Sequence, residues 1–364
     1  MALLTPPHSP SHYALKSTTR AYVSTARLNL QHYLWKDQTG YLLHPDIPLS
    51  NTALKIADVG TGTGIWLIDL AKTLHPTTQL DGFDIDIADC PPKEWLPPNV
   101  QMHELDIFGG IPQHLVGVYD VIQLRLFQVV VRDNDPVPLL KNVLKMLKPG
   151  GYLQWAEYDM TTTKTILADP ALSASDLDAL PAFTQKLKQQ DARFGKQDWI
   201  PTLPTTFAQA GMIDVTTSRH APTTSSLPYQ LDVFLLTYEE LSYKTLDGMA
   251  DEQGAKLRKL IEKASDEARQ GVAWAMERVI FVGRKAEATV ENRGVGKVVN
   301  SKVINGRVIN GRVMNDTDSV AVRASMTSSR RSKRERLLRV WKRLSLGGGV
   351  SGRQNSFSRD THEG

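Results

Sequence analysis

The chain has 364 residues, 41% of them apolar. That is enough for two average domains, or for one domain with additions around a sizeable core. Its single cysteine, Cys90, excludes an internal disulfide framework and fits a reducing compartment. The net charge of +4 is uneven: residues 287–364 hold 16 Lys/Arg against 7 Asp/Glu, or +9, leaving −5 on the rest, so the body has no electrostatic footprint for nucleic acid.

Residues 1–12, rich in Pro, Ser and His, read as a disordered N-terminus without the apolar run of a signal peptide. No segment approaches the ~20 apolar residues that span a bilayer. A helix is predicted over 13–35, with Tyr22, Ala26, Leu30, Tyr33 and Leu34 on its apolar face and Arg27, Leu28, Gln31 and His32 within it. Gly40 stops it. The stretch Ile56 to Ala71 then reads as a short apolar strand, a turn bearing Gly60, Thr61, Gly62 and Gly64, and a helix predicted over 65–74 and ended by Pro76. Asp58 lies two residues before the first glycine. A helix N-terminus behind such a turn offers unpaired N–H groups to a polar ligand.

A second strand is predicted over 79–86, about twenty residues past the loop. An acidic residue at its end is placed to accept hydrogen bonds from ribose hydroxyls. Asp84 is the first choice for this, with Ile85 beside it, Asp86 the alternate, and a helix N-cap the competing role. Cys90 to Pro98 holds four prolines and is expected to be irregular. A third strand over 100–105 leads into Asp106 and Ile107. A fourth, 118–125, is a continuous buried run whose end places Gln123 and Arg125 toward a cleft. A helix over 135–147 with Leu139, Leu140, Val143 and Leu144 on one face is stopped by Lys148-Pro149-Gly150-Gly151. The fifth strand, 152–157, then sets Glu157, Tyr158 and Asp159 at the cleft end. Beyond it come helices near 170–190, 231–241 and 251–270, expected to form a lid, and strands from Met212 and over 278–283. These complete seven strands. After Lys285 an Asn-spaced period of five gives way to a basic amphipathic run, 328–346, suited to an anionic membrane or to nuclear import.

The ordered set resembles fungal class I S-adenosylmethionine (SAM) methyltransferases of secondary metabolism, a group that includes LaeA-type regulators. The residues that carry the resemblance are Arg27, Leu28, Gln31 and His32; Asp58 to Trp66, an Asp-x-Gly-Thr-Gly-Thr-Gly-Ile-Trp loop; and Leu147 to Asp159. The resemblance implies an α/β class: a Rossmann-like, seven-stranded sheet with a helical lid. The methyltransferase domain would cover 13–286, with its core at 53–160 and its lid and last strands at 161–286, and the basic tail 287–364 would lie outside it. The resemblance also implies SAM as cofactor and methyl transfer to N or O of a small-molecule acceptor. Asp58, Gly60, Thr61, Gly62, Gly64, Asp84 and Ile85 would line the cofactor, with Asp106 on the adenine amino group and Ile107 on its ring. Arg125 either pairs with the methionine carboxylate or Asp106, or is structural. His32, Glu157 and Tyr158 are the candidates on the acceptor side.

No His/Asp/Glu cluster at metal-ligand spacing is visible, so a metal-independent reaction is expected. A dinucleotide-dependent reductase is the competing enzyme class. Its Gly-x-Gly-x-x-Gly spacing is not met by Gly60, Gly62 and Gly64. A cytoplasmic location is expected, with the nucleus reachable through the tail.

Overall fold

A computed structural model describes residues 21–131, 133–190, 199–243 and 252–287. The chain divides into two units, Met1–Glu291 and Asn292–Gly364. The second unit, and with it the expected basic helix, lies outside the described residues, as do residues 1–20.

Helix α1 (Ala21–Thr39) precedes the sheet and ends at Gly40, in the left-handed region (φ 79°). Strands β1 (Lys55–Val59), β2 (Gln79–Asp84), β3 (Val100–Glu104) and β4 (Tyr119–Arg125) pair in parallel. The inner strands β1 and β4 are buried along nearly their whole length, as strands covered on both faces are, while β3 at the sheet edge is partly exposed. Helix α2 is Ile65–Leu70, shorter than expected, and α3 is Val137–Met146, with Leu139, Leu140, Val143 and Met146 buried. Strand β5 (Leu147–Leu167) follows, then α4 (Ser175–Gln190), α5 (Leu203–Gln209), β6 (Met212–His220), α6 (Leu227–Leu241), α7 (Gln253–Gln270) and β7 (Val272–Lys285). The sheet order is β3-β2-β1-β4-β5-β7-β6, with β7 antiparallel to both neighbours. Seven strands were expected, and seven form one sheet. The order reverses between β1 and β4, and ligands of open α/β sheets bind outside the strand ends at that point.

Boundaries around β5 and β7 differ most from expectation. Lys148 to Gly151 is not a free turn but a bulge inside β5: Leu147 pairs with Tyr119 and Tyr152 with Val121, while Lys148 Nζ binds Asp120 Oδ1 at 2.7 Å. Strand β5 also runs ten residues past Glu157. It stays paired with the early part of β7, Lys164 opposite Ala275 through Leu167 opposite Val272, after an irregularity in which residues 160–163 face Met276 alone. A cross-strand partner more than a hundred residues away stabilises this ribbon, and no local pattern announces it. For the same reason β7 begins at Val272, six residues before the expected start.

Two apolar clusters sandwich the sheet. One lies under α1, α2, α6 and α7 and includes Trp35, Ile56, Leu67, Tyr158, Phe234, Trp274 and Ile280. The other lies under α3 and α5 and includes Val59, Phe127, Leu140, Trp155, Phe207 and Phe281. Trp35 and Tyr158 thus share a face with α1 and α6, whereas Trp155 belongs to the opposite face.

Candidate cofactor and acceptor site

The turn after β1 is built from Gly60, Gly62 and Gly64, all at positive φ (73°, 59° and 73°). A Cβ on Gly60 would stand 2.7 Å from the Phe127 ring, so only glycine fits there without moving that ring. The N–H groups of Gly60 and Thr61 both donate to Phe83 O, at 2.7 and 3.0 Å, tying the turn to the end of β2. Gly64 caps α2 with no side-chain hydrogen bond.

Asp84 closes the loop from the neighbouring strand. Its Oδ2 accepts the Gly62 N–H at 2.8 Å and its Oδ1 accepts the Ile85 N–H at 2.8 Å. The carboxylate is fixed beside the loop, at the end of the strand next to β1, the position suited to a ribose diol. Asp86 accepts the Ala88 N–H at 2.8 Å within a turn, and no helix starts there for it to cap. Ile85 is an exposed apolar side chain next to Asp84. Asp106 is also exposed, and its Oδ1 accepts the Phe108 N–H at 2.9 Å. Ile107 is buried in the cluster beneath α3, so little of its side chain is left for a base.

Asp58 is buried behind the loop and accepts the Thr61 hydroxyl at 2.8 Å. Burial pushes its carboxyl up to about 7, against the opposing pull of Arg125 and Thr61. Arg125, from the end of β4, is lowered by burial while Asp58 holds it up. Its guanidinium lies over the Trp35 ring, 5.7 Å from the centroid. Asp58 and the half-buried Arg125 feel each other's charge, and together they offer one partner of each sign, as a zwitterion needs. The loop, the Asp84 carboxylate and this pair together fit SAM.

Helix α1 roofs the site. Thr63 Oγ1 donates to Asn29 Oδ1 at 2.8 Å, and Leu28 Cδ1 lies 3.5 Å from the Cβ position of Gly62. His32 is fully buried, with Nε2 at 3.2 Å from Asp69 Oδ2 on α2 and Nδ1 at 3.5 Å from Arg125 Nη1. Burial and the Arg125 charge take it down to about 4, so it is neutral at pH 7. The network assigns Nε2–H as donor to Asp69 and leaves Nδ1 facing the guanidinium. With both nitrogens engaged, His32 positions Arg125 and is not poised as a free base. Burial alone would raise Asp69, but hydrogen bonds from Lys36, His32 and Lys72 bring it to about 2. Arg27 reaches across to α6 and binds Glu240 through two nitrogens, each at 3.1 Å, both side chains buried.

Glu157 turns away from this face. Its Oε1 accepts the Phe127 N–H and the Trp155 Nε1–H, both at 2.7 Å, on the α3 side of the sheet. Burial pushes it up to about 8. It therefore anchors the turn after β4, where Leu126 sits in the left-handed region (φ 62°), and does not face the acceptor side proposed for it. Gln123, expected to reach the cleft, accepts from Gln154 Nε2 at 2.8 Å instead. Tyr158 does lie on the α1 face, between Trp35 (5.1 Å between centroids) and Phe234 (5.2 Å). Asp159 is paired with Arg219 at 2.7 Å.

Two side chains that sequence reasoning passed over stand out: Arg278 on β7 and Gln230 on α6. Both are buried, and none of their side-chain nitrogens or oxygens has a hydrogen-bond partner. The available signal was a lone arginine inside an apolar strand. Among the described residues, no group of three or more His, Cys, Asp or Glu is placed to hold a metal ion, and no helix is long and apolar enough to cross a membrane.

The sheet and the glycine turn make a Rossmann-like α/β fold. Fungal proteins are among the relatives that the chain resembles. The chain is 39% identical over 142 residues to the methyltransferase grgD of a Penicillium species (37% of this chain, 49% of that protein). It is 33% identical over 146 residues to the N-methyltransferase tcpN of Claviceps purpurea (40% and 52%). To the secondary metabolism regulator laeA of Coprinopsis cinerea it is 32% identical over 102 residues (28% and 24%). The chain thus spans about half the length of the first two. No family model matches it. Among solved structures it is similar to a Haemonchus contortus phosphoethanolamine N-methyltransferase in complex with SAM, at 14% identity and a TM-score of 0.42, over 74% of this chain and 59% of that one.

Proposed function

We propose that this chain is a SAM-dependent methyltransferase that acts on N or O of a small-molecule acceptor without a metal. The observation that carries the proposal is the Asp84 carboxylate held by the Gly62 N–H of a glycine-rich turn that follows β1 at the sheet's reversal. SAM, when bound, supplies an electrophilic methyl group to the attacking acceptor atom, whose proton is then lost. The chain's own part is to bind and orient. Asp84 holds a diol, Asp58 and Arg125 meet the two charges of an amino acid, and α1 excludes water from above.

Titration calorimetry with SAM and, separately, NADPH tests this. Micromolar SAM binding is expected, weakened at least tenfold by Asp84→Ala, since each hydrogen bond to a charged group contributes about 1.5–3 kcal/mol. Preferential NADPH binding would replace the reading with the reductase. A regulator that binds SAM and works in a nuclear complex is the second reading, favoured by the likeness to laeA. It predicts SAM binding without turnover on any small acceptor. We place the protein in the cytoplasm, with the basic tail as its route to the nucleus or to an anionic membrane. Fluorescence imaging with and without residues 292–364 decides that point.

A further inference from the structure

We propose that Arg278 anchors a carboxylate of the methyl acceptor, in a subsite roofed by α1 and α6. The idea rests on the methyltransferase reading above and adds the acceptor's chemical class to it.

Arg278 pairs with Tyr158 in the β5–β7 register, two residues beyond the level at which Arg125 pairs with Ala156. It therefore belongs at the carboxyl end of the parallel core. Its strand is two places from β4, about 10 Å along the sheet. Asp58 and Arg125 serve the cofactor's own charges in the reading above, which leaves Arg278, on a strand further along the sheet, for an acceptor.

The guanidinium is 1% exposed, yet Nε, Nη1 and Nη2 all lack a partner. Its carbon stands 5.1 Å from the Trp35 ring centroid and 5.4 Å from that of Tyr158. Two aromatic rings stand beside the guanidinium, and its N–H groups are the part left for a polar ligand. A guanidinium edge recognises a carboxylate through two parallel hydrogen bonds. Burying a charge with no hydrogen bond is strongly unfavourable, so an arginine kept this way is explained by a ligand that completes it. The nearby cation makes the deficit larger: Arg125 is over the same Trp35 ring, and its electrostatic neighbours include Arg278. Gln230, one helical turn before the Phe234 that packs on Tyr158, offers a second unpartnered amide on α6.

Benzoate is the probe, titrated calorimetrically into the full chain with and without saturating S-adenosylhomocysteine, which occupies the cofactor's own carboxylate site. Millimolar binding is expected, with benzamide at least tenfold weaker. Arg278→Gln should weaken benzoate at least tenfold, and Arg278→Lys should retain part of the affinity. S-adenosylhomocysteine affinity should stay within about twofold of wild type in both. Arg278→Met, which removes the unpartnered charge, should raise the unfolding midpoint by about 2–4 °C. Equal benzoate affinity in wild type and Arg278→Gln, no benzoate binding to folded wild type, or a lower midpoint for Arg278→Met would overturn the proposal. Loss of S-adenosylhomocysteine binding in wild type would instead overturn the cofactor reading, while the Arg278 dependence of benzoate would still decide this one.

Discussion

Glu157 shows how far a residue's neighbourhood can redirect it. From the sequence it is a carboxylate at the cleft end of a strand. In the fold its alternation along β5 sends it to the face opposite Tyr158, where it binds a backbone N–H and an indole N–H. Its burial has a pH signature. The carboxyl is raised from 4.5 to about 8, so the unfolded chain binds fewer protons than the native one between these values. The stability contribution of its neutral form is fully present near pH 4.5 and is lost as pH rises toward 8. Glu157→Gln keeps the accepting oxygen and removes the titration. Its unfolding midpoint should therefore gain on wild type as pH goes from 5 to 8, and a gap that does not change with pH would refute the assignment. Asp84 stands at the strand end where the sequence puts it and accepts the Gly62 N–H, because that position depends on a short strand and a turn about twenty residues away.

At the level of elements, the helix before the sheet determines whether the site is closed. Helix α1 is tied to the glycine turn by Asn29–Thr63, to α2 by His32 and Lys36 on Asp69, and to α6 by Arg27–Glu240. The last is a buried two-point ion pair. Removing one partner leaves an uncompensated charge and costs about 3–5 kcal/mol. Glu240→Ala should lower the urea midpoint accordingly, and a change below about 1 kcal/mol would mean that α1 and α6 are not locked together by this pair. Legibility also differed among elements. Strands β1 and β4 announced themselves through short apolar stretches bounded by glycines or loops, and α3 through a clear helical face. The ribbon of β5 with β7 did not, because its stability comes from pairing between distant segments.

For the whole molecule, every side chain assigned to the site lies between Arg27 and Arg278, and the last strand ends at Lys285. A chain shortened to residues 1–291 should thus bind SAM with unchanged affinity and unfold at an unchanged midpoint, both within error of the full chain. A loss of either would show that residues 292–364 support the fold or the site. The charge asymmetry points the same way: the mildly acidic body has no need of a basic extension to hold a zwitterion that Asp58 and Arg125 already match.

What the sequence determined by itself was the α/β class, the strand–glycine–helix turn, and the acidic residue at the end of the second strand. These are local patterns: apolar runs, glycine spacing and chain distance. Only the tertiary structure decided which face each strand-end side chain meets, that His32 is neutral and engaged at both nitrogens, and that Arg278 is buried without a partner. Those properties depend on burial and on contacts between segments far apart in the chain, such as β7 with α1, and a dielectric environment made by the whole core cannot be read from any one stretch.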